Sequence, residues 1–505
     1  MLMSPSSMSP VLSLLLLLLL RSTVSTDTTK PGTITTLGTT YRDEDNRTRL
    51  FHGINYVQKA SPYLPEINST EIIKLKSIGA TVVRLGVMID GLFPNSTTPD
   101  PTYLPAIQHM VDLLWSAGIY SVLDLHQDVL NSQICGEGVP DWMFNVFDLH
   151  ALHFPLPAAF SNQSKADPTT GKYVPAADCA NRGLLKFIGW SQFYMTDANG
   201  KAWQQLFTNT SVLGHMIEKH WVTVATHFKG HPGVLAYEMM NEPWVGDHVG
   251  DPLLLLKSGL AESQNVGPFM ERIHQAIRTV DPNTMTLYAP AEVNNRFQRH
   301  VGYQKGFLPG SPMAFHVYCI TGTDGPGPTT PITKDICHFN DNYQMKTRRE
   351  DLLRLNAPGF VTEFGAVEDV ATGLAEVRFV TEHLDGAGTG MPLSWIYWGA
   401  NVPDAVDYRT ELARSYPMAV AGDIVDFSFN VTTGHTMLSF LPNSRTASTE
   451  LYLSDVYQYT NGFDVVVTPN SCCVVTTRKN GASIVVRNAP SSGLTVVEIQ
   501  VTKKN

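Results

Sequence analysis

Eight short runs of apolar, β-branched residues, each with a polar or glycine-containing end and then a helical stretch, constrain this chain more than any other feature. They read LFHGINYV, TVVRLGV, YSVLDLHQD, VLAYEMMNEP, MTLYAP, MAFHVYC, FVTEFGA and LSWIYWGA. Near-continuous apolar character is what strands need when both faces are covered, as in a parallel sheet. The stretches between them have helical spacing. NSTEIIKLKSIG places Ile72, Ile73 and Leu75 in register and ends at Gly79; LPAIQHMVDLLWSAG ends at Gly118; VGPFMERIHQAIRTVDP stops before Pro282. A glycine just past the last helical turn is a common stop signal.

Strand and helix alternating eight times predict an α/β fold, a closed (β/α)8 TIM barrel. An open doubly wound sheet is the rival. It wants a glycine-rich phosphate turn after the first strand, and GINYVQKAS is not one. After Leu412 the helical spacing ends. VDFSFNV, HTMLSFLP, STELYLS, FDVVVTP, CCVVTT, ASIVVRN and LTVVEIQVT read as short strands. They predict a C-terminal β-sandwich domain of roughly 90 residues. The expected division is a signal peptide over 1–25, a catalytic barrel over 26–412 and the sandwich over 413–505.

The leader expectation rests on VLSLLLLLLL, Val11 to Leu20, followed by Arg21 and small residues. About ten apolar residues are too few to span a bilayer, and fit a signal-peptide core. Six sequons, at Asn46, Asn68, Asn95, Asn162, Asn209 and Asn430, agree with a secretory route to the outside or to a lysosomal or digestive lumen. The 6 cysteines permit disulfides there. Cys135 with Cys179 and Cys319 with Cys337 would each staple a long loop, whereas the adjacent Cys472 and Cys473 pair with each other only under strain. A net charge of -10 argues against a nucleic-acid partner.

Functional residues of a parallel barrel gather at the C-terminal ends of its strands. Here those ends offer Arg84, His126, Asp128, Asn241, Glu242, His316, Tyr318, Glu363 and Trp398. Two glutamates facing each other across one mouth suit cleavage of a glycosidic bond: one protonates the leaving oxygen, the other attacks the anomeric carbon or activates water. Arg84 and the Tyr318 hydroxyl are natural partners for the carboxylate that must stay ionised. A tryptophan at the end of the last strand offers a flat face to a sugar ring. No HExxH or comparable spacing supports a metal site, and no cofactor is expected.

NEP on the fourth strand and TEFG on the seventh resemble the signature of glycoside hydrolase family five, a family of retaining TIM-barrel glycosidases. GINYVQK, DLHQD, CGEGVPDW, MNEPW and RSYPMAVAGD resemble the endoglycoceramidases within it, which cut between the glycan and the ceramide of glycosphingolipids. The resemblance implies that Glu242 is the acid/base and Glu363 the nucleophile. It also implies that Asn241 holds a sugar 2-hydroxyl, and that His126, Asp128, Lys59, Arg84, His316, Tyr318 and Trp398 line the sugar site. The implied partner is a glycosphingolipid at a membrane or micelle surface, with an activator protein or detergent-like lipid as helper, and the implied state is a monomer. An exo-β-glucosidase on glucosylceramide, a β-glucanase and an inactive glycolipid-binding protein are the alternatives. Two loops, VPDWMFNVF with Trp142 and DPLLLLKSG with Leu254, are expected to supply an apolar wall for lipid.

Overall fold

The computed structural model describes residues 32–144, 165–166, 173–174, 190–208, 212–297, 299–319, 331–366, 370–399, 401–444, 446–470, 472–486 and 496–504. The leader, Asn162, Cys179, Asn209 and the loop end 145–147 lie outside them.

The barrel strands are β1 (His52–Tyr56), β2 (Val82–Gly86), β3 (Tyr120–Asp124), β4 (Val234–Glu238), β5 (Met285–Leu287), β6 (Met313–Val317), β7 (Gly359–Phe364) and β8 (Ser394–Tyr397). All are buried along their length, which is why their sequences are apolar rather than alternating. They pair in parallel in the order β5-β4-β3-β2-β1-β8-β7-β6. A bridge between Tyr288 and Met313 closes the ring, where the Ala314 N–H donates to the Tyr288 carbonyl at 2.9 Å. The principal helices are α1 (Ser69–Ser77), α2 (Tyr103–Ser116), α3 (Val212–Phe228), α4 (Gly267–Arg278), α5 (Pro331–Leu355) and α6 (Val370–Leu384). The Asn68 carboxamide caps α1 by accepting from the Thr70 and Glu71 amides, the usual service of an N-cap side chain.

Beyond the barrel lie β9 (Tyr416–Val420), β10 (Gly422–Asn430), β11 (His435–Pro442), β12 (Ser448–Tyr452), β13 (Phe463–Thr468), β14 (Cys473–Arg478), β15 (Gly481–Val486) and β16 (Val497–Lys503). One sheet runs β10-β11-β16-β13. The other contains β9-β12-β15-β14, extended by three short strands from the other end of the chain, Thr35–Leu37, Thr40–Arg42 and Thr48–Arg49. Residues counted with the barrel from sequence therefore hydrogen-bond into the sandwich sheet through Thr48–Arg49 and β9. Two-residue and three-residue strands carry too little periodicity to be read in advance. Phe427, Leu438, Phe440, Leu451, Ile484 and Ile499 fill the space between the sheets. Cys319 is bonded to Cys337, and Cys472 to Cys473.

The sandwich is built onto the flank of the barrel by aromatic residues. The Tyr416 ring stacks on His52 at 3.7 Å, and His52 in turn on Trp395 at 4.0 Å. The Tyr416 hydroxyl donates to the Gly79 carbonyl at 2.8 Å and the Tyr452 hydroxyl to the Ser77 carbonyl at 2.7 Å. Gly79 ends α1 with φ +75°, and a Cβ there would stand 2.5 Å from the Tyr452 ring. Gly118 ends α2 with φ +79° and open space around it. Left-handed backbone costs a side chain about 1 kcal/mol at either position. Gly118→Ala is therefore expected to lose about 1 kcal/mol, and Gly79→Ala about 1–3 kcal/mol more, from overpacking against the sandwich. Chemical denaturation of the two variants checks this; equal losses would mean that the sandwich does not press on the α1 turn.

Candidate active site

The site is built outward from Arg84, which stands in the middle of β2 and not, as expected from sequence, at its end, and which has no exposed surface. Its Nε and Nη2 donate to the two carboxylate oxygens of Glu238 at 2.8 and 3.1 Å. Its Nη1 donates to Glu363 at 2.5 Å and to Asn55 at 3.1 Å, and its Nη2 reaches Asn241 at 2.8 Å and Asp124 at 3.0 Å. Burial opposes the charge, yet Asp124, Glu238 and Glu363 around it hold the guanidinium above its ordinary value. Only the planar fork of arginine serves so many acceptors at once.

Glu363, on β7, thus takes one charged hydrogen bond from Arg84, while its other oxygen accepts from the Tyr318 hydroxyl at 2.9 Å. Burial first, then Glu363 and Glu242, push the Tyr318 phenol far above its usual range, so it remains a donor. The register between β6 and β7 shifts between Phe315 and His316, which sets His316 opposite Glu363 rather than Thr362. Such irregularities re-aim side chains beside active sites. His316 Nδ1 lies 2.8 Å from Glu242 and 3.5 Å from Glu363. Burial would discharge the imidazole, but Glu363 and Glu242 overrule it and push its pKa up to about 9. The Gln344 carboxamide, from α5, holds the His316 carbonyl at 2.6 Å.

Glu242 follows β4 with φ +38°, an uncommon conformation for a residue with a side chain. The Gln127 carboxamide holds the turn, donating to the Asn241 carbonyl at 2.7 Å and the Glu242 carbonyl at 3.3 Å. Asn241 returns a bond to the Gln127 carbonyl at 2.9 Å. Backbone in such a region costs about 1–3 kcal/mol and persists only where neighbours over-determine it. One donor atom each from Glu242, His316 and Glu363 lies within 4.8 Å of the others. The spacing alone would also suit a cation, but a protonated imidazole presents an N–H, not a lone pair, to that space.

Next to this group sits a second, joined to it by Asp124. His126 Nδ1 contacts Asp124 at 2.9 Å and its Nε2 contacts Asp128 at 3.4 Å. Lys59 bridges Asp128 and, at 2.6 Å, Glu137. Trp398 stacks on His126 with centroids 5.2 Å apart and lies 5.2 Å beneath the Lys59 ammonium. Burial raises Glu137 to about 7 despite Lys59, whereas Lys59 and His126 outweigh burial at Asp128 and hold it well below the carboxylate range. Lys59 and His126 thus stand against an aromatic face, with Asp128 in contact with both.

The ten residues singled out from sequence come together at the C-terminal end of the barrel. Sequence reasoning passed over others that hold them. Asp124 and Glu238 are acids inside otherwise apolar runs on strands buried on both faces, and that is a legible signal of partnering. Asn55 and Gln127 carry no such mark. Tyr194 enters from the 3-10 turn Trp190–Met195, and its hydroxyl stands 3.3 Å from Asp128 and 3.4 Å from Glu242. The expected apolar wall is corrected at both named residues: Leu254 is buried, and Trp142 is half-buried with its indole N–H bonded to the Phe93 carbonyl at 2.9 Å. Four-residue helices at Asp141–Phe144 and Leu253–Leu256 turn these side chains inward.

The chain has clear relatives. The model for Cellulase (glycosyl hydrolase family 5) matches residues 44–402, and the model for the glycoside hydrolase family 5 C-terminal domain matches residues 414–501. An endoglycoceramidase of Cyanea nozakii is 30% identical over 91% of this chain and 92% of its own. One of Hydra vulgaris is 28% identical over 85% of this chain and 81% of its own. Among solved structures, endo-glycoceramidase II from Rhodococcus sp. covers 92% of this chain and 99% of its own, at 20–21% identity. Its lactosyl-enzyme intermediate gives a TM-score of 0.69, and its complex with ganglioside GM3 one of 0.68.

A histidine with a folded pKa near 9 and an unfolded value near 6.5 adds stability that is complete below pH 6.5 and is lost as pH rises through 9. His316→Asn is therefore expected to cost on the order of 2–3 kcal/mol more at pH 6 than at pH 9.5. Urea denaturation of both proteins at the two values checks the sign. A cost that does not shrink on raising the pH would remove the charge assigned to His316.

Proposed function

Since the chain belongs to glycosyl hydrolase family 5, we propose that it is a retaining endo-β-glycosidase that cuts glycosphingolipids between the glycan and the ceramide. The observation that carries this reading is the separation of Glu242 and Glu363, whose nearest relevant oxygens lie within 4.8 Å. Retaining glycosidases hold their two carboxyls about 5–5.5 Å apart, whereas inverting ones leave about 6.5–9.5 Å for a water. The named relatives support the substrate class: two are endoglycoceramidases, and the Rhodococcus enzyme has been seen with a ganglioside and as a lactosyl-enzyme.

Glu363 attacks the anomeric carbon of the sugar next to ceramide. Arg84 and Tyr318 each donate to one of its carboxylate oxygens and so fix its aim. Glu242 gives its proton to the departing ceramide oxygen, so that bond breaks as the bond to Glu363 forms. Glu242 then takes a proton from the water that releases the glycan. Asn241, held by Arg84, faces the sugar 2-hydroxyl. Lys59, His126 and Asp128 bind the remaining hydroxyls over the Trp398 face. The enzyme reaches its substrate through the secretory pathway. The Val11–Leu20 run supports that route, as do the exposed asparagines of the sequons at 46, 68, 95 and 430 and the Cys319–Cys337 bond. Among the described residues, no helix is long and apolar enough to cross a membrane.

The roles separate with the leaving group. On an aryl β-lactoside whose phenolate departs unaided, Glu242→Ala should still form the glycosyl-enzyme, and added azide should speed its turnover. Glu363→Ala should lose on the order of ten-thousand-fold on the same substrate. Mass analysis of the products from a ganglioside should then show intact glycan and ceramide. Monosaccharides released one at a time would favour an exo-hydrolase instead, and the absence of turnover on every glycosphingolipid would favour a binding protein.

A further inference from the structure

The helix that follows β6 has its polarity reversed. On α5, Asp341, Gln344 and Arg348 are buried together with Cys337 and Met345. Ile332, Ile336, Phe339 and Tyr343, spaced by four, three and four residues, are instead 51–75% exposed. An ordinary surface helix does the opposite. The inner face explains itself, since it braces the active site: Gln344 holds the His316 carbonyl, and the Cys319–Cys337 bond ties the helix one residue beyond Tyr318. The outer face has no such account.

These same contacts fix the height of the stripe. Gln344 lies level with His316, so the helix rises past the catalytic residues toward its N-terminus. At a rise of 1.5 Å per residue, Ile332 stands about 18 Å further along the axis than Gln344. Cys337, bonded to Cys319, lies level with the end of β6, so Ile336, Phe339 and Tyr343 flank the mouth from outside and the turn at Ile332 rises about 7.5 Å past it, forming an outer lip beside β6. It does not stand alone. Leu253 and Leu256, after β4, and Phe297, after β5, are each more than half exposed and belong to the two connections that precede β6. Arg299 joins them, donating to the Leu255 carbonyl and covering the Phe297 ring at 4.9 Å. Although the chain carries a net charge of -10, the charged groups around these apolar chains lean to the other sign: Lys257, Arg299, Lys334 and Lys346 against Asp251, Asp335 and Glu350.

We propose that α5 from Ile332 to Tyr343, with Leu253, Leu256 and Phe297, is the surface by which the enzyme docks on the anionic lipid layer that presents its substrate. Apolar side chains that enter the headgroup boundary, flanked by lysine and arginine, are the chemistry such a layer selects. This rests on reading the substrate as a glycolipid. The ceramide oxygen leaves beside Glu242, and an enzyme seated on this lip keeps its mouth at the layer from which the sugar projects. Trp142 and Leu254 take no part, being turned into the protein.

The test is sedimentation of the full-length protein with phosphatidylcholine vesicles, with and without phosphatidylserine and free of glycolipid, beside hydrolysis of a soluble aryl β-lactoside. The unaltered protein should bind the anionic vesicles and release them as salt is raised. Ile336→Asp with Phe339→Asp should weaken that binding about tenfold or more. Both side chains point to solvent, so the rate on the soluble lactoside should change by less than about twofold. Vesicle binding unaffected by the substitutions, or a stripe whose substitution only dissolves a dimer, overturns the docking surface. Vesicle binding that responds as expected in a protein inert toward the lactoside would instead remove the catalytic reading and leave the surface standing.

Discussion

A single guanidinium, sealed inside the barrel, is the constraint on which the rest is arranged. Arg84 binds Glu238, Glu363 and Asp124 together with the carboxamides of Asn55 and Asn241, so it ties β1, β2, β3, β4 and β7 to one point. Taking a cation and three acids out of water is costly and repays only when every donor and acceptor is met. Here the cost has a function. The charge cannot be relieved by solvent, so Glu363 faces a fixed positive field in a dry site.

The two glutamates are then distinguished by what touches them. Glu363 is held by a permanent cation and a phenol that does not ionise in the working range. Glu242 is held by the His316 imidazole at 2.8 Å and the Tyr194 hydroxyl at 3.4 Å. A nucleophile needs the first environment, and a group that must give and recover a proton needs the second. Both geometries depend on departures from regular structure, the positive φ at Glu242 and the register shift at His316. They are stable because α5, Gln127 and Arg84 leave the chain no other arrangement.

The barrel was legible because each strand is short, buried on both faces and closed off by polar residues, glycine or proline. The strand ends were legible for the same reason, since a charged residue stands out in an apolar run. What escaped has physical causes. The ribbon between Thr35 and Arg49 is stabilised by pairing with β9, more than 360 residues away, and not by local pattern. Tyr194 stands on a six-residue 3-10 turn with no period to place it. Trp142 and Leu254 look like lipid contacts in a string of letters, yet one-turn helices rotate them inward. The exposed stripe on α5 was hidden by its inversion: its spacing is that of a core-facing helix, and only the contacts of Gln344 and Cys337 show which side is core.

From the buried arginine to the apolar lip, the molecule brings a rigid, charged sugar site to the edge of a lipid phase while the sandwich steadies the barrel from its flank. The claim beneath all of this is that Glu363 forms a covalent bond to the sugar. Incubation with an activated 2-fluoro lactoside, followed by peptide mass analysis, tests it most directly. The account requires the protein to gain one lactosyl group, on the peptide that contains Glu363. A label on any other residue, or an active enzyme that never becomes labelled, would contradict it.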